Sequence, residues 1–142
     1  MLERITHSEQ ETEAFGAKLA ERIKAPAVLC LYGELGAGKT ALIRGLAEGM
    51  GLTCTVSSPT FTIVNEYLGK RDLIHFDMYR LSSADELFDI GWEDYLCRNA
   101  VLAVEWSENV LDAFDGTETV IRIEKLSDTD RRITVEEGGA AC

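Results

Sequence analysis

The sequence predicts a single α/β domain in which a mixed parallel and antiparallel sheet is flanked by helices, and three observations predict it. An apolar run of strand length, Ala27 to Tyr32, leads into a glycine-rich turn and then into a helix-period stretch without a break. A second apolar run, Ala100 to Val104, has the continuous hydrophobic character of a strand buried on both faces of a parallel sheet. Between them, residues 61–79 read as two β-branched and aromatic strands around the turn Lys70-Arg71-Asp72, a hairpin that departs from simple βαβ alternation.

The glycine-rich turn carries the chemistry. Gly33-Glu34-Leu35-Gly36-Ala37-Gly38-Lys39-Thr40 fills the pattern G-x-x-x-x-G-K-[ST] with no departure. Phosphates repel one another and need several donors at once. A loop of successive backbone N–H groups at a helix N-terminus supplies them, together with the positive end of the helix dipole. Glycines let that backbone approach without a Cβ in the way. Lys39 can then reach the β- and γ-phosphates and the Thr40 hydroxyl can ligate Mg²⁺. The expected fold is therefore that of a P-loop NTPase, and all eight residues are candidate nucleotide contacts.

The remaining elements follow in order. Residues 2–6 read as a short edge strand. Ser8 with Glu11 three residues later fits a capping box, opening a helix whose face is marked by Phe15, Leu19 and Ile23 and which ends before Pro26. After the turn, Leu42, Ile43, Leu46 and Met50 recur at helical spacing, with Gly49 and Gly51 at the stop. Cys54 to Tyr67 reads as loop, then strand, and Leu73 to Tyr79 as the returning strand. A second capping box, Ser83-Ala84-Asp85-Glu86, opens a helix that Gly91 stops, and Trp92 to Cys97 reads as a further short helical piece. Two tail strands, Thr119 to Glu124 and Arg132 to Glu136, flank the polar turn Ser127-Asp128-Thr129-Asp130.

With 142 residues, residues 1–136 form one domain large enough to bury about two-thirds of its unfolded surface, and 137–142 read as a flexible tail. No apolar run approaches a membrane span and the polar N-terminus lacks a signal-peptide core, so the expectation is a cytoplasmic protein with no membrane partner. Cys30, Cys54, Cys97 and Cys142 show no metal-ligand or redox spacing, and Cys30 reads as a small apolar strand residue. His75, inside a strand, reads as packed or hydrogen-bonded rather than catalytic. The net charge of −11 opposes direct grip on a polyanion, so any nucleic acid is expected to be held by a partner.

Ligands of such folds lie outside the carboxyl ends of the parallel strands, where an acid following an apolar strand can serve a metal or orient water. Asp77 after Leu-Ile-His-Phe and Glu105 after Val-Leu-Ala-Val meet that requirement, with Glu105 favoured for the Mg²⁺ side. Thr60, in the segment Ser57-Ser58-Pro59-Thr60-Phe61, lies where a γ-phosphate-sensing loop is often found, and is equally an ordinary turn residue. Trp106 reads equally as core or as partner contact.

GELGAGKT, SSPTFTIVNEY, HFDMYRL and AVEW, in this order and spacing, resemble the TsaE (YjeE) family of small bacterial ATPases of the tRNA threonylcarbamoyladenosine pathway. The match runs from the first helix to Trp106 and thins in the tail strands. The resemblance implies Mg²⁺-dependent ATP hydrolysis beside the TsaD and TsaB proteins, which handle the tRNA. It puts Gly33 to Thr40 on the phosphates and Thr40 and Glu105 on the metal. Asp77 and Thr60 fall on the family's functional acid and switch-like loop, and Ser8-Glu9 and Arg131 near the adenine. Ser107 stands where many members carry Pro, and Trp92 in a usually less aromatic stretch. A small-metabolite or nucleoside kinase is the rival reading, although the turn at Lys70-Arg71 is too small for a lid. No N-K-x-D guanine signature occurs.

Overall fold

In a computed structural model the described residues are 2–24, 27–33, 38–52, 64–69, 72–77, 91–105 and 118–136. They form β1 (Leu2–Thr6), α1 (Glu9–Arg22), β2 (Ala27–Tyr32), α2 (Lys39–Gly49), β3 (Val64–Tyr67), β4 (Asp72–Asp77), α3 (Trp92–Leu96), β5 (Ala100–Glu105), β6 (Thr119–Lys125) and β7 (Arg131–Glu136). The expected helix after Ser83 lies outside the described residues.

The strands make one seven-stranded sheet in the order β1-β7-β6-β2-β5-β4-β3. Its centre, β6-β2-β5-β4, is parallel, and antiparallel pairs close both sides: β7 and β1 beyond β6, and β3 beyond β4. The sheet is thus mixed, as the hairpin and tail strands predict, and β1 is an edge strand.

Period-two alternation sorts the central strands onto two cores. Leu29 and Leu31 of β2, Leu73 of β4, Val101 and Ala103 of β5, with Ile121 and Ile133, pack beneath α1 and α2. Ile74 and Phe76 of β4, with Ala100, Leu102 and Val104 of β5, form the second core against α3. Trp92 is fully buried there, edge-on to Phe76 with ring centroids 5.1 Å apart. The tryptophan that is unusual for the resemblance is therefore a core residue, and truncation to alanine is expected to cost about 3–5 kcal/mol. Just beyond α3, Arg98 reaches the hairpin through Glu66 at 2.6 Å and Asp72 at 3.7 Å.

Helix α1 starts as the capping box predicts, with one difference. The Ser8 hydroxyl accepts from the Glu11 N–H at 3.1 Å, but the Glu11 carboxylate reaches past Ser8 to accept from the His7 N–H at 3.2 Å. Helices α1 and α2 pack at backbone distance. A Cβ built on Gly45 would stand 1.9 Å from the Glu13 carbonyl oxygen, so only glycine permits this approach. The Arg44 guanidinium binds Glu9 at 3.1 Å and also Glu13, tying the helices together at their surface.

Candidate functional site

Strands β2, β4 and β5 run parallel, so their carboxyl ends lie along one edge. In register, Glu105 has Leu31 of β2 on one side and Asp77 of β4 on the other. The sequence leaves the position of Asp77 open because its strand turns back from β3. The structure decides it: β4 is antiparallel to β3 yet parallel to β5, which puts Asp77 at the same sheet end as Glu105.

The phosphate-loop motif leaves β2 at this end and enters α2. Gly38 is the residue before the helix, at φ 109° and ψ 17°, a left-handed conformation that disfavours any side chain. Its carbonyl accepts the first helical bond from Leu42 N at 3.0 Å. Lys39 and Thr40 then occupy the first turn, Lys39 buried and Thr40 half-buried. Glu34, Leu35, Gly36 and Ala37 lie outside the described residues, as do Thr60 and Trp106.

Lys39 Nζ donates to the Gly33 carbonyl oxygen at 2.9 Å and stands 3.8 Å from Glu105 Oε1. The other carboxylate oxygen, Oε2, lies 2.5 Å from Nε2 of His75, whose side chain is fully buried. A carboxylate can only accept, so this bond uses the tautomer with the proton on Nε2. Among the described residues, His75 Nδ1 has no hydrogen-bond partner. The structure thus brings together Lys39 and Glu105, two of the residues singled out in the sequence, and adds His75, which the sequence marks as packed or hydrogen-bonded. The available signal was period two: His75 precedes Asp77 by two residues on a strand that ends in a candidate acid.

The N-terminal residues converge on the opposite flank. Thr6 is the register partner of Arg131, and the His7 ring lies 3.1 Å from Asp130. The Asp130 carboxylate raises the His7 pKa by hydrogen bonding and by charge, and His7, then Thr129, hold Asp130 below its ordinary value. Glu9 opens α1 and Arg131 opens β7. Glu9 is paired with Arg44, and the Arg131 guanidinium donates to the carbonyls of Ser127 and Asp130 at 2.8 and 2.9 Å. Buried Thr6 and Thr12 share a hydroxyl hydrogen bond of 2.8 Å. A Cβ on Gly38 would stand 3.9 Å from the Thr12 methyl, so α1 flanks the entry to α2.

A phosphate-loop motif joined to a buried lysine and carboxylate at the carboxyl ends of a parallel block defines a P-loop NTPase-type α/β protein. The particular family follows from comparison. The model of the family "Threonylcarbamoyl adenosine biosynthesis protein TsaE" matches residues 6–133, and the chain belongs to that family. It is 36% identical over 131 residues to the tRNA threonylcarbamoyladenosine biosynthesis protein TsaE of Treponema pallidum, covering 92% of this chain and 97% of that protein. It is 40% identical over 130 residues to the Bacillus subtilis protein of the same name, covering 91% and 81%. The crystal structure of Bacillus subtilis YdiB superposes with a TM-score of 0.84 at 34% identity, covering 97% of this chain and 86% of that one.

Proposed function

We propose that the chain is a Mg²⁺-dependent ATP hydrolase that supports threonylcarbamoylation of the tRNA adenosine next to the anticodon, acting with TsaB and TsaD. The observation that carries this reading is the convergence of Lys39 and Glu105, 3.8 Å apart at the mouth of the phosphate-loop motif.

The residues present fit both groups. Lys39 brings an ammonium with three donors to the loop, and the Thr40 hydroxyl and Glu105 carboxylate are the hard oxygen ligands that Mg²⁺ takes. A bound Mg²⁺ would supply neutralisation of the negative charge on the phosphates. Lys39 and the loop from Gly33 to Thr40 bind the phosphates, and Thr40 and Glu105 hold the metal. Asp77 or Glu105 orients the water whose oxygen bonds to the γ-phosphorus as the bond to the β–γ bridging oxygen breaks, releasing ADP and phosphate. Positioning and charge neutralisation supply most of the rate. Glu9 and Arg131 are the proposed base-side residues, and Thr60 with Trp106 the proposed nucleotide-sensing surface toward the partners.

The charge of −11 supports a division of labour in which the partner complex holds the tRNA. The test is ATP turnover measured alone, with the TsaB–TsaD complex, and with a panel of small phosphate acceptors. Stimulation by the complex is expected. Stimulation by a small acceptor with transfer of the phosphoryl group would make the protein a kinase instead.

A further inference from the structure

We infer that His75 is a positioning residue for Glu105: its Nε2–H fixes one carboxylate oxygen so that the other faces Lys39 and the phosphate loop. The inference rests on the ATPase reading of the site and adds to it a residue with no assigned role.

The geometry separates the two oxygens of one carboxylate. Oε2 is held at 2.5 Å by an imidazole that is itself fully buried, and Oε1 points to Lys39 Nζ at 3.8 Å. The hydrogen bond from β4 and the ion-pair contact from α2 reach different oxygens, so the carboxylate is held from its own sheet and from the neighbouring helix. Glutamate has three side-chain torsions, and one contact at 3.8 Å does not define them. The His75 bond does, because the ring is fully buried and comes from the middle of β4, on the face that carries Leu73 and packs toward α2. Strand register makes the reach possible. His75 pairs with Ala103 on parallel β5, two residues before Glu105, so the imidazole and the carboxylate sit in successive rows of the sheet.

Burying a histidine has a physical consequence that a core role leaves unexplained. An apolar residue at position 75 would fill the same volume without bringing a polar ring whose Nδ1 has no partner among the described residues. The one described polar contact of the ring is to the acid at the mouth of the phosphate loop, and partners that orient a ligand carboxylate are commonly worth about 10- to 100-fold in activity.

The test compares His75→Leu, which keeps the bulk and removes the donor, with His75→Gln, whose amide can donate again. Single-turnover hydrolysis of MgATP by the unmodified chain and both variants is read beside nucleotide affinity by calorimetry. The expected result is a fall of about 10- to 100-fold in hydrolysis for His75→Leu, with affinity within about threefold of wild type and most of the loss recovered in His75→Gln. Equal hydrolysis in His75→Leu and wild type overturns the inference, as does a loss that merely follows affinity or a glutamine variant no better than leucine. A wild-type chain that neither binds nor hydrolyses MgATP removes the ATPase reading and the inference with it. Should both variants fail to fold, the unmodified protein decides. It has only two histidines, so its ring ¹⁵N spectrum is readily assigned. A His75 proton on Nε2 that shifts in Glu105→Gln upholds the inference, and the Nδ1–H tautomer overturns it.

Discussion

The Lys39 ammonium stands 3.8 Å from Glu105 Oε1, with both side chains 7% exposed. The pair is assembled within this 15.7 kDa chain by residues of α2 and β5. Opposite charges this close attract, so each side chain helps hold the other near the start of α2.

Replacing Lys39 by alanine removes the one basic residue of the Gly33–Thr40 motif. The expected outcome is loss of measurable ATP binding by calorimetry, with the fold retained because His75 still donates to Glu105. Equal affinity in variant and wild type would refute the assignment of this loop.

Glu105→Ala and Asp77→Ala are expected to fold and to lose most hydrolysis, about 100-fold or more, because the two residues end adjacent parallel strands in register. Turnover assayed under saturating MgATP checks this. If both variants turn over normally, the acids that serve the reaction lie elsewhere.

Gly45→Ala forces a methyl against the backbone of the facing helix, 1.9 Å from the Glu13 carbonyl oxygen. Overpacking of this kind costs about 1–3 kcal/mol, or a Tm lower by roughly 3–10 °C for a chain of this size. A thermal melt with an unchanged midpoint would show that α1 and α2 can separate without loss.

The His7–Asp130 pair links stability to pH. The raised pKa of His7 means its contribution is full below the ordinary value of 6.5 and is lost as pH rises through the raised value. The lowered pKa of Asp130 means its contribution is present above 3.8 and is lost as pH falls through the lowered value. The pair therefore stabilises chiefly between these limits. His7→Gln should lower the urea midpoint at about pH 5.5 and leave it unchanged at about pH 8.5. The same decrement at both values would show that the charge on His7 contributes nothing.

What could be read from the chain alone is what neighbouring residues impose on each other. The phosphate loop is such a feature: its glycines, lysine and threonine are consecutive, and the left-handed turn at Gly38 and the start of α2 follow from local backbone sterics. The limits of β2, β5 and the two tail strands were legible for the same reason, since an apolar run and its flanking turn chemistry are local. Glu105 and Asp77 could be picked out as acids that close apolar strands.

Their meeting could not. That Asp77 lies beside Glu105 depends on β4 pairing antiparallel with β3 and parallel with β5, a choice made by side chains packing on both sheet faces. His75 is the clearest case. Its neighbours Ile74 and Phe76 mark it as a strand interior residue, and its period-two spacing from Asp77 does not by itself separate a packed imidazole from a functional one. Only the sheet brings Nε2 to an oxygen of a residue thirty positions later, because it depends on β4 pairing in parallel with β5, a contact between strands distant in sequence.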